Sequence, residues 1–173
     1  MARPDSKRLH LLRHAKSDWD DPELADHDRP LAPRGRRASR AIATHLADKG
    51  IDPALVLCSS SARTRETLDR IASALGSPTV EIEDGLYGAG AATLLERLRR
   101  VPDTVGSVMV IGHNPGIEEL ALELAGSGPD VKRMERKYPT AALATLTVPG
   151  ESWSELAEGR SELVAFVLPR ELE

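Results

Sequence analysis

The chain has 173 residues and a formal net charge of −4, so it fits one domain and carries no overall electrostatic footprint for nucleic acid or an anionic membrane. Its first eight residues hold no apolar signal region, and no later stretch approaches the ~18 apolar residues of a membrane-spanning helix. We therefore expect one cytoplasmic domain over residues 1–173, with no nucleic-acid partner and no membrane partner.

The first predicted strand covers residues 9–12 and ends in Arg13 and His14. The segment 17–33 that follows has no clean period and is dense in Asp, Pro and His, which predicts a long functional loop. Its last residue, a proline, opens a helix with one apolar face, and Gly50 ends that helix.

The second predicted strand covers residues 55–58 and leads into three serines that can cap a helix. The single cysteine, Cys58, lies in this apolar run, so we expect a small buried core residue. The helix carries Arg63 and Arg65 in its first turn, and because they are two positions apart only one of them can face a pocket. A short strand and a helix are predicted next, at 79–82 and 91–100.

The next predicted strand covers residues 108–111 and is followed by Gly-His-Asn-Pro-Gly. His113 stands at the strand end. Asn114 is the expected N-cap and Pro115 the expected first residue of a helix, whose dipole would point toward an anion.

The last third of the chain contains a basic run and two closing strands. The run at 132–137 is interpreted as a solvated face. The strands are predicted at 142–148 and 163–168, with a polar turn between them. Because strands alternate with helices, the fold class is α/β, a three-layer α/β/α sandwich with a mainly parallel central sheet.

Three of the predicted strands end in basic or imidazole side chains, and the carboxyl ends of parallel strands meet at one edge of a sheet. That edge would collect Arg13, His14, His113 and an arginine of the second helix. A guanidinium matches phosphate oxygens bidentately, and a neutral imidazole nitrogen is a competent nucleophile. The sequence therefore predicts a phosphate pocket that contains a histidine.

These motifs resemble those of a known family. Leu-Arg-His-Ala at 12–15 is similar to the Arg-His-Gly motif of the histidine phosphatase (phosphoglycerate-mutase-like) superfamily. Residues 59–67 resemble its second arginine motif, and 112–115 its second histidine motif. The likeness runs over about 9–124, with a weaker echo at 138–141, and it is strongest to the small SixA-type phosphohistidine phosphatases.

The resemblance implies a phosphoglycerate-mutase-like fold and a catalytic set of Arg13, His14, Arg63 and His113. In that set neutral His14 attacks phosphorus, and water then hydrolyses the phosphohistidine enzyme. Arg29 stands in an Arg-Pro-Leu segment similar to one in SixA-type enzymes. It joins Arg13, Arg63 and His113 as a predicted phosphate-binding residue, and no cofactor is required.

The implied partner is a phosphorylated substrate, and on the SixA likeness a protein that carries phosphohistidine. The chemistry alone leaves open a general small-molecule phosphomonoesterase and a non-catalytic module that binds phosphate or a phosphoprotein. No metal site is predicted. His10 and His14 are four positions apart in an extended run, which cannot bring both to one ion, and His27 does not complete a set.

Two features depart from the wider superfamily. Ala15 replaces the usual glycine after the histidine, which indicates a backbone that avoids positive φ. The acidic residue that serves many relatives as general acid has no clear counterpart in the middle of the chain. The candidates are Asp18, Asp20, Asp26, Asp28, Glu83 and Asp84.

Overall fold

The computed structural model describes residues 6–173 and folds them around one central sheet. Within that range the strands are β1 (Lys7–Arg13), β2 (Leu55–Ser59), β3 (Thr79–Glu83), β4 (Ser107–Gly112), β5 (Ala125–Ser127), β6 (Leu143–Val148) and β7 (Ser161–Val167). They lie in the order β3-β2-β4-β1-β6-β7-β5. The first four strands in the chain are parallel, whereas β6 runs antiparallel to β1 and to β7. The sequence predicts no signal region in residues 1–8, and residues 1–5 of that stretch lie outside the described part of the chain.

The helices cover both faces of this sheet and confirm the predicted three-layer α/β/α architecture. They are α1 (Pro33–Asp48), α2 (Ala62–Ile71), α3 (Ala91–Arg99), α4 (Gly116–Leu124) and α5 (Val131–Arg136). α1 and α2 pack into one apolar cluster, and α3, α4 and α5 into the other. None of the helices in 6–173 combines the length and the apolar character that crossing a bilayer requires.

The central strands are apolar along their whole length because both of their faces are buried. In β4, Val108 and Val110 join the α3–α4 cluster, while Met109 and Ile111 join the α1–α2 cluster. The burial of each such side chain contributes ~1.5 to 3 kcal/mol to the free energy of folding. Cys58 occupies the corresponding position in β2 and is fully buried, as predicted. Burial raises the pKa of its thiol to about 12.

The start of α4 differs from the prediction by one position. Pro115 holds the N-cap position and the helix begins at Gly116, where a Cβ would lie 2.1 Å from the carbonyl oxygen of Ala89. Asn114 still satisfies a helix amide, since its Oδ1 accepts a hydrogen bond from the backbone N–H of Glu118 at 3.2 Å. The close approach to Ala89 therefore leaves no room for a side chain at the first residue of the helix.

The basic run at 132–137 is more than a solvated face. Most of it forms α5, which the sequence did not predict, and the buried Met134 anchors this short helix to the core. Its exposed side borders a cavity of about 440 Å³.

Candidate active site

The strand ends that were predicted to meet do meet. β4 lies between β2 and β1, with Arg13 opposite Gly112 and Cys58 opposite Ile111. The backbone N–H of His14 donates to the carbonyl oxygen of Gly112 at 3.0 Å, which ties the two strand ends together. Parallel pairing thus places the side chains that follow β1, β2 and β4 at one edge of the sheet.

His14 and His113 lie next to each other at this edge. Their ring centroids are 5.2 Å apart and the rings are tilted by 54°. The Nδ1 atom of His14 lies 2.7 Å from the carbonyl oxygen of Ala15. A carbonyl oxygen only accepts, so Nδ1 carries the proton and Nε2 of a neutral His14 carries a free lone pair.

The surroundings of His14 keep its ring neutral. Burial lowers its pKa to about 3, although the hydrogen bond to Ala15 acts in the opposite direction. The nearby His113, Arg63 and Arg13 lower the pKa further. The ring therefore offers an unprotonated nitrogen at neutral pH.

His113 is held by the end of β2. Its Nε2 lies 2.8 Å from the hydroxyl oxygen of Ser59, and both side chains are buried. Burial and, after it, the charge of Arg63 lower the pKa of His113 to about 4. An anion placed against these groups would raise the pKa of His113 and favour its protonated ring.

Arg63 is positioned by the first turn of α2, whose N-cap Ser61 accepts a hydrogen bond from the amide of Thr64. Its guanidinium bonds Asp26 twice, with Nη1 donating to the carbonyl oxygen at 2.8 Å and Nη2 to Oδ2 at 3.0 Å. Among residues 6–173, Asp26 is the one proposed general acid that touches a predicted site residue. Arg65 is exposed.

Tyr87 adds an aromatic wall to the site. Its hydroxyl donates to Oδ2 of Asp26. Its ring meets those of His113 and His27 edge-on, with centroids 5.5 and 4.8 Å away. The bond from Tyr87, and then those from Arg63, hold the pKa of Asp26 below its ordinary value. Asp26 is therefore a carboxylate at neutral pH.

Arg13 reaches the site from the end of β1. Its Nη1 donates to the carbonyl oxygen of Tyr138 at 2.9 Å, an oxygen that also accepts from the side-chain amide of Asn114. The Nε of Arg13 is buried and lacks a partner within the described chain. Burial lowers the pKa of this guanidinium. One nitrogen of the Arg13 guanidinium is thus bonded to the backbone, while its Nε can donate to another acceptor.

Arg29 lies within the loop between β1 and α1. Its Nη1 and Nη2 donate to the carbonyl oxygens of Asp21 and Leu24 at 2.8 and 2.9 Å, and its guanidinium stacks on Trp19 at 4.1 Å. These contacts tie the loop together from inside. The predicted contact between Arg29 and phosphate stays a prediction.

The histidines that were weighed as metal ligands have other partners. The Nδ1 of His10 pairs with the hydroxyl of Thr145 at 2.9 Å, and the Nε2 of His27 with that of Ser60 at 3.0 Å. In the described part of the chain, no group of three or more His, Cys, Asp or Glu side chains could hold a metal ion. Two arginines around a pair of neutral imidazoles suit an oxyanion instead.

Comparisons with known proteins give matches among phosphatases. The model of the histidine phosphatase superfamily (branch 1) matches residues 9–91. An uncharacterized Mycobacterium tuberculosis protein is 39% identical over 163 residues, which cover 92% of this chain and 100% of that protein. The phosphohistidine phosphatase SixA of Escherichia coli is 28% identical over 145 residues, or 82% and 85% of the two chains.

Among solved structures, a putative phosphohistidine phosphatase SixA from Nakamurella multipartitia superposes with a TM-score of 0.84. It is 31% identical, and the match covers 98% of this chain and 99% of the other. SixA in complex with tungstate gives a TM-score of 0.74 at 26% identity, with 96% and 99% of the chains covered.

Proposed function

The chain belongs to the histidine phosphatase superfamily, in its SixA-type group, and is a phosphatase; from that premise we propose that it hydrolyses phosphohistidine on proteins through a covalent intermediate on His14. The observation that carries this proposal is the hydrogen bond from Nδ1 of His14 to the carbonyl oxygen of Ala15. It directs the lone pair to Nε2, beside His113 and the two arginines.

The first step transfers the phosphoryl group to the enzyme. The Nε2 lone pair of His14 attacks phosphorus and the phosphorus–nitrogen bond of the substrate breaks. The substrate ring carries a proton on its other nitrogen, so the leaving nitrogen keeps the electron pair of the broken bond and a neutral imidazole departs. Arg13, Arg63 and His113 donate hydrogen bonds to the equatorial oxygens, each worth on the order of 1.5 to 3 kcal/mol when charge-assisted.

The second step returns the enzyme to its starting state. Water attacks the phosphorus, the bond to Nε2 of His14 breaks and its electron pair returns to the ring, and inorganic phosphate leaves. Asp26 is the carboxylate that can take the proton from water, since it contacts Arg63 in the free protein. Incoming phosphoryl oxygens compete with Asp26 for that guanidinium and free its carboxylate for the reaction.

The release of Asp26 from Arg63 by incoming phosphoryl oxygens also supports a second candidate function, a general small-molecule phosphomonoesterase, because loss of that ion pair raises the pKa of Asp26 and lets it carry a proton. Alkyl phosphates need a proton donor for the departing alkoxide, whereas a protonated phosphohistidine or an aryl phosphate leaves more readily. We therefore compare phosphohistidine peptide and p-nitrophenyl phosphate with phosphoserine. A steep preference for the first two supports the phosphohistidine function, and similar kcat/KM values support the phosphomonoesterase.

The covalent step is tested by trapping. Rapid mixing with substrate, quenching without acid and mass spectrometry should place the phosphoryl group on His14. His14→Ala should remove both the label and turnover while the circular dichroism spectrum stays unchanged. Label on Cys58 or on a serine would rule out this mechanism. Vanadate and tungstate should inhibit competitively, because SixA has been crystallised with tungstate on the same fold.

A further inference from the structure

A second positively charged site lies beside the catalytic cleft. It is the cavity of about 440 Å³ next to α5, here called the basic cavity. Six cationic side chains line it, namely Lys16, Arg34, Arg133, Arg136, Lys137 and Arg170. Glu173 also lines it, and Phe166 and Leu168 provide an apolar floor. This concentration of positive charge stands in a chain whose net charge is −4.

The fold brings the basic cavity close to the nucleophile. Lys16 follows His14 by two residues, so their Cα atoms are at most about 7 Å apart. Thr140 of the cavity wall follows Tyr138 by two residues, and the carbonyl oxygen of Tyr138 holds Arg13. The start of α1 packs on Lys16, since a Cβ at Gly35 would lie 2.2 Å from the carbonyl oxygen of Lys16. The cavity and the cleft therefore share the chain segment that carries His14.

Most of these cations lack a salt bridge in the described part of the chain. Arg133 pairs with Asp130 at 3.0 Å and with Glu171 at 2.8 Å. Within residues 6–173, the other five cations make no ion pair. All five are exposed and come from several segments of the chain. Spaced, hydrated cations attract an extended set of carboxylates, whereas a single small anion is usually held by buried donors.

We propose that the basic cavity binds acidic side chains that flank the phosphohistidine in the protein substrate. This inference rests on the proposed function, because it requires a protein segment at the cleft. The carboxylates of that segment meet the exposed cations, and an apolar side chain of the same segment packs on Phe166 and Leu168. The cavity then supplies substrate selection while the cleft supplies the chemistry.

The test compares two phosphohistidine peptides of equal length, one with Asp and Glu around the phosphorylated residue and one with Asn and Gln. We expect kcat/KM about tenfold higher for the acidic peptide, mainly through KM, since several exposed ion pairs contribute together. That ratio should shrink between about 0.01 M and about 0.1 M salt, where the Debye length falls from ~30 to ~10 Å.

The double variant Arg136→Glu/Arg170→Glu should bring the ratio to about one. Its matched control is Lys49→Glu/Arg100→Glu, which makes the same charge change at exposed positions outside the cavity and should keep the ratio. Equal kcat/KM for the two peptides in the unaltered protein, or equal losses in both double variants, would overturn the inference.

p-Nitrophenyl phosphate separates this result from a failure of the proposed function. It carries no flanking carboxylates, so it reports on the cleft alone. Hydrolysis of p-nitrophenyl phosphate with no hydrolysis of either peptide would overturn the phosphohistidine function. Hydrolysis of both peptides at equal rates would leave that function standing and remove the role of the cavity.

Discussion

At the scale of single residues, the protonation state of His14 decides whether the site can act. An unperturbed histidine is half protonated near pH ~6.5, and the sequence alone predicts a loss of activity at ~6 to 6.5, moved lower by the arginines. In the structure burial outweighs those charges and lowers the pKa of His14 to about 3. The nucleophile is therefore neutral across the physiological range.

NMR of imidazole nitrogens labelled with ¹⁵N tests this directly. We expect the His14 signals of the free protein to show no titration between about pH 5 and pH 8, because the ring stays neutral down to its lowered pKa. Bound phosphate should raise that pKa, since an anion favours the imidazolium. A midpoint near ~6.5 in the free protein would show that the ring is hydrated and would contradict the buried site.

Asp26 is the second residue on which the chemistry depends. Asp26→Asn keeps the shape of the side chain but removes the charge that competes with phosphate for Arg63. We expect vanadate to bind more tightly to this variant, while turnover of an alkyl phosphate falls by up to ~10² to 10⁴ and that of an aryl phosphate changes much less.

Asp28→Asn is the matched control, because Asp28 lies two residues along the same loop and its ion pair is with His27. Steady-state kinetics with both substrates and vanadate inhibition supply the measurements. Equal losses on alkyl and aryl phosphates in Asp26→Asn would show that Asp26 does not protonate the departing alkoxide and acts instead in the water step that both substrates share, or shapes the loop.

At the scale of elements, the loop between β1 and α1 is the part that the sequence resolved least. It closes on itself through a bridge between Ser17 and Leu31 and through the bonds of Arg29. It carries Asp26 to Arg63, which lies 37 residues away in the chain. The loop thus supplies the carboxylate that pairs with Arg63.

Arg29→Lys tests how that loop is held. Lysine keeps the charge but loses the fork that reaches the carbonyl oxygens of Asp21 and Leu24. We expect hydrogen exchange across 18–28 to speed up, as loop opening becomes easier by ~1 to 3 kcal/mol, with Arg40→Lys on α1 as the control. Weaker vanadate inhibition without faster exchange would instead support the predicted contact of Arg29 with phosphate.

The elements that the sequence predicted well are those with a strong local signal. β1, β2 and β4 stand out as apolar runs because both faces of the sheet are covered, and Ser61 marks the start of α2. β5 and α5 are too short to show a period. The bond from Tyr87 to Asp26 joins residues 61 positions apart and has no local pattern, so the sequence could not show which of the six acidic candidates lies beside Arg63.

At the scale of the whole molecule, three histidines are buried in a neutral form. Burial is the largest cause in each case, and it lowers the pKa of His10 and His113 to about 4 and that of His14 to about 3. In the unfolded chain each titrates near ~6.5. Below that pH the unfolded state therefore binds more protons than the folded state, and acid favours unfolding.

We expect the free energy of unfolding to be highest above pH ~6.5 and to fall as the pH drops from there toward about 4. Each histidine contributes up to ~1.4 kcal/mol per pH unit in this window, so three together can remove several kcal/mol. Urea titrations at intervals across the window measure the slope of the unfolding free energy against pH.

His10→Gln should reduce this slope by up to about a third, because Gln can still bond Thr145 but does not titrate. His45→Gln, at a half-buried position on α1, should change the slope less than His10→Gln does. A slope that His10→Gln leaves untouched would mean that His10 is hydrated in the folded state, and the acid sensitivity of the protein would then have to come from the two histidines of the cleft.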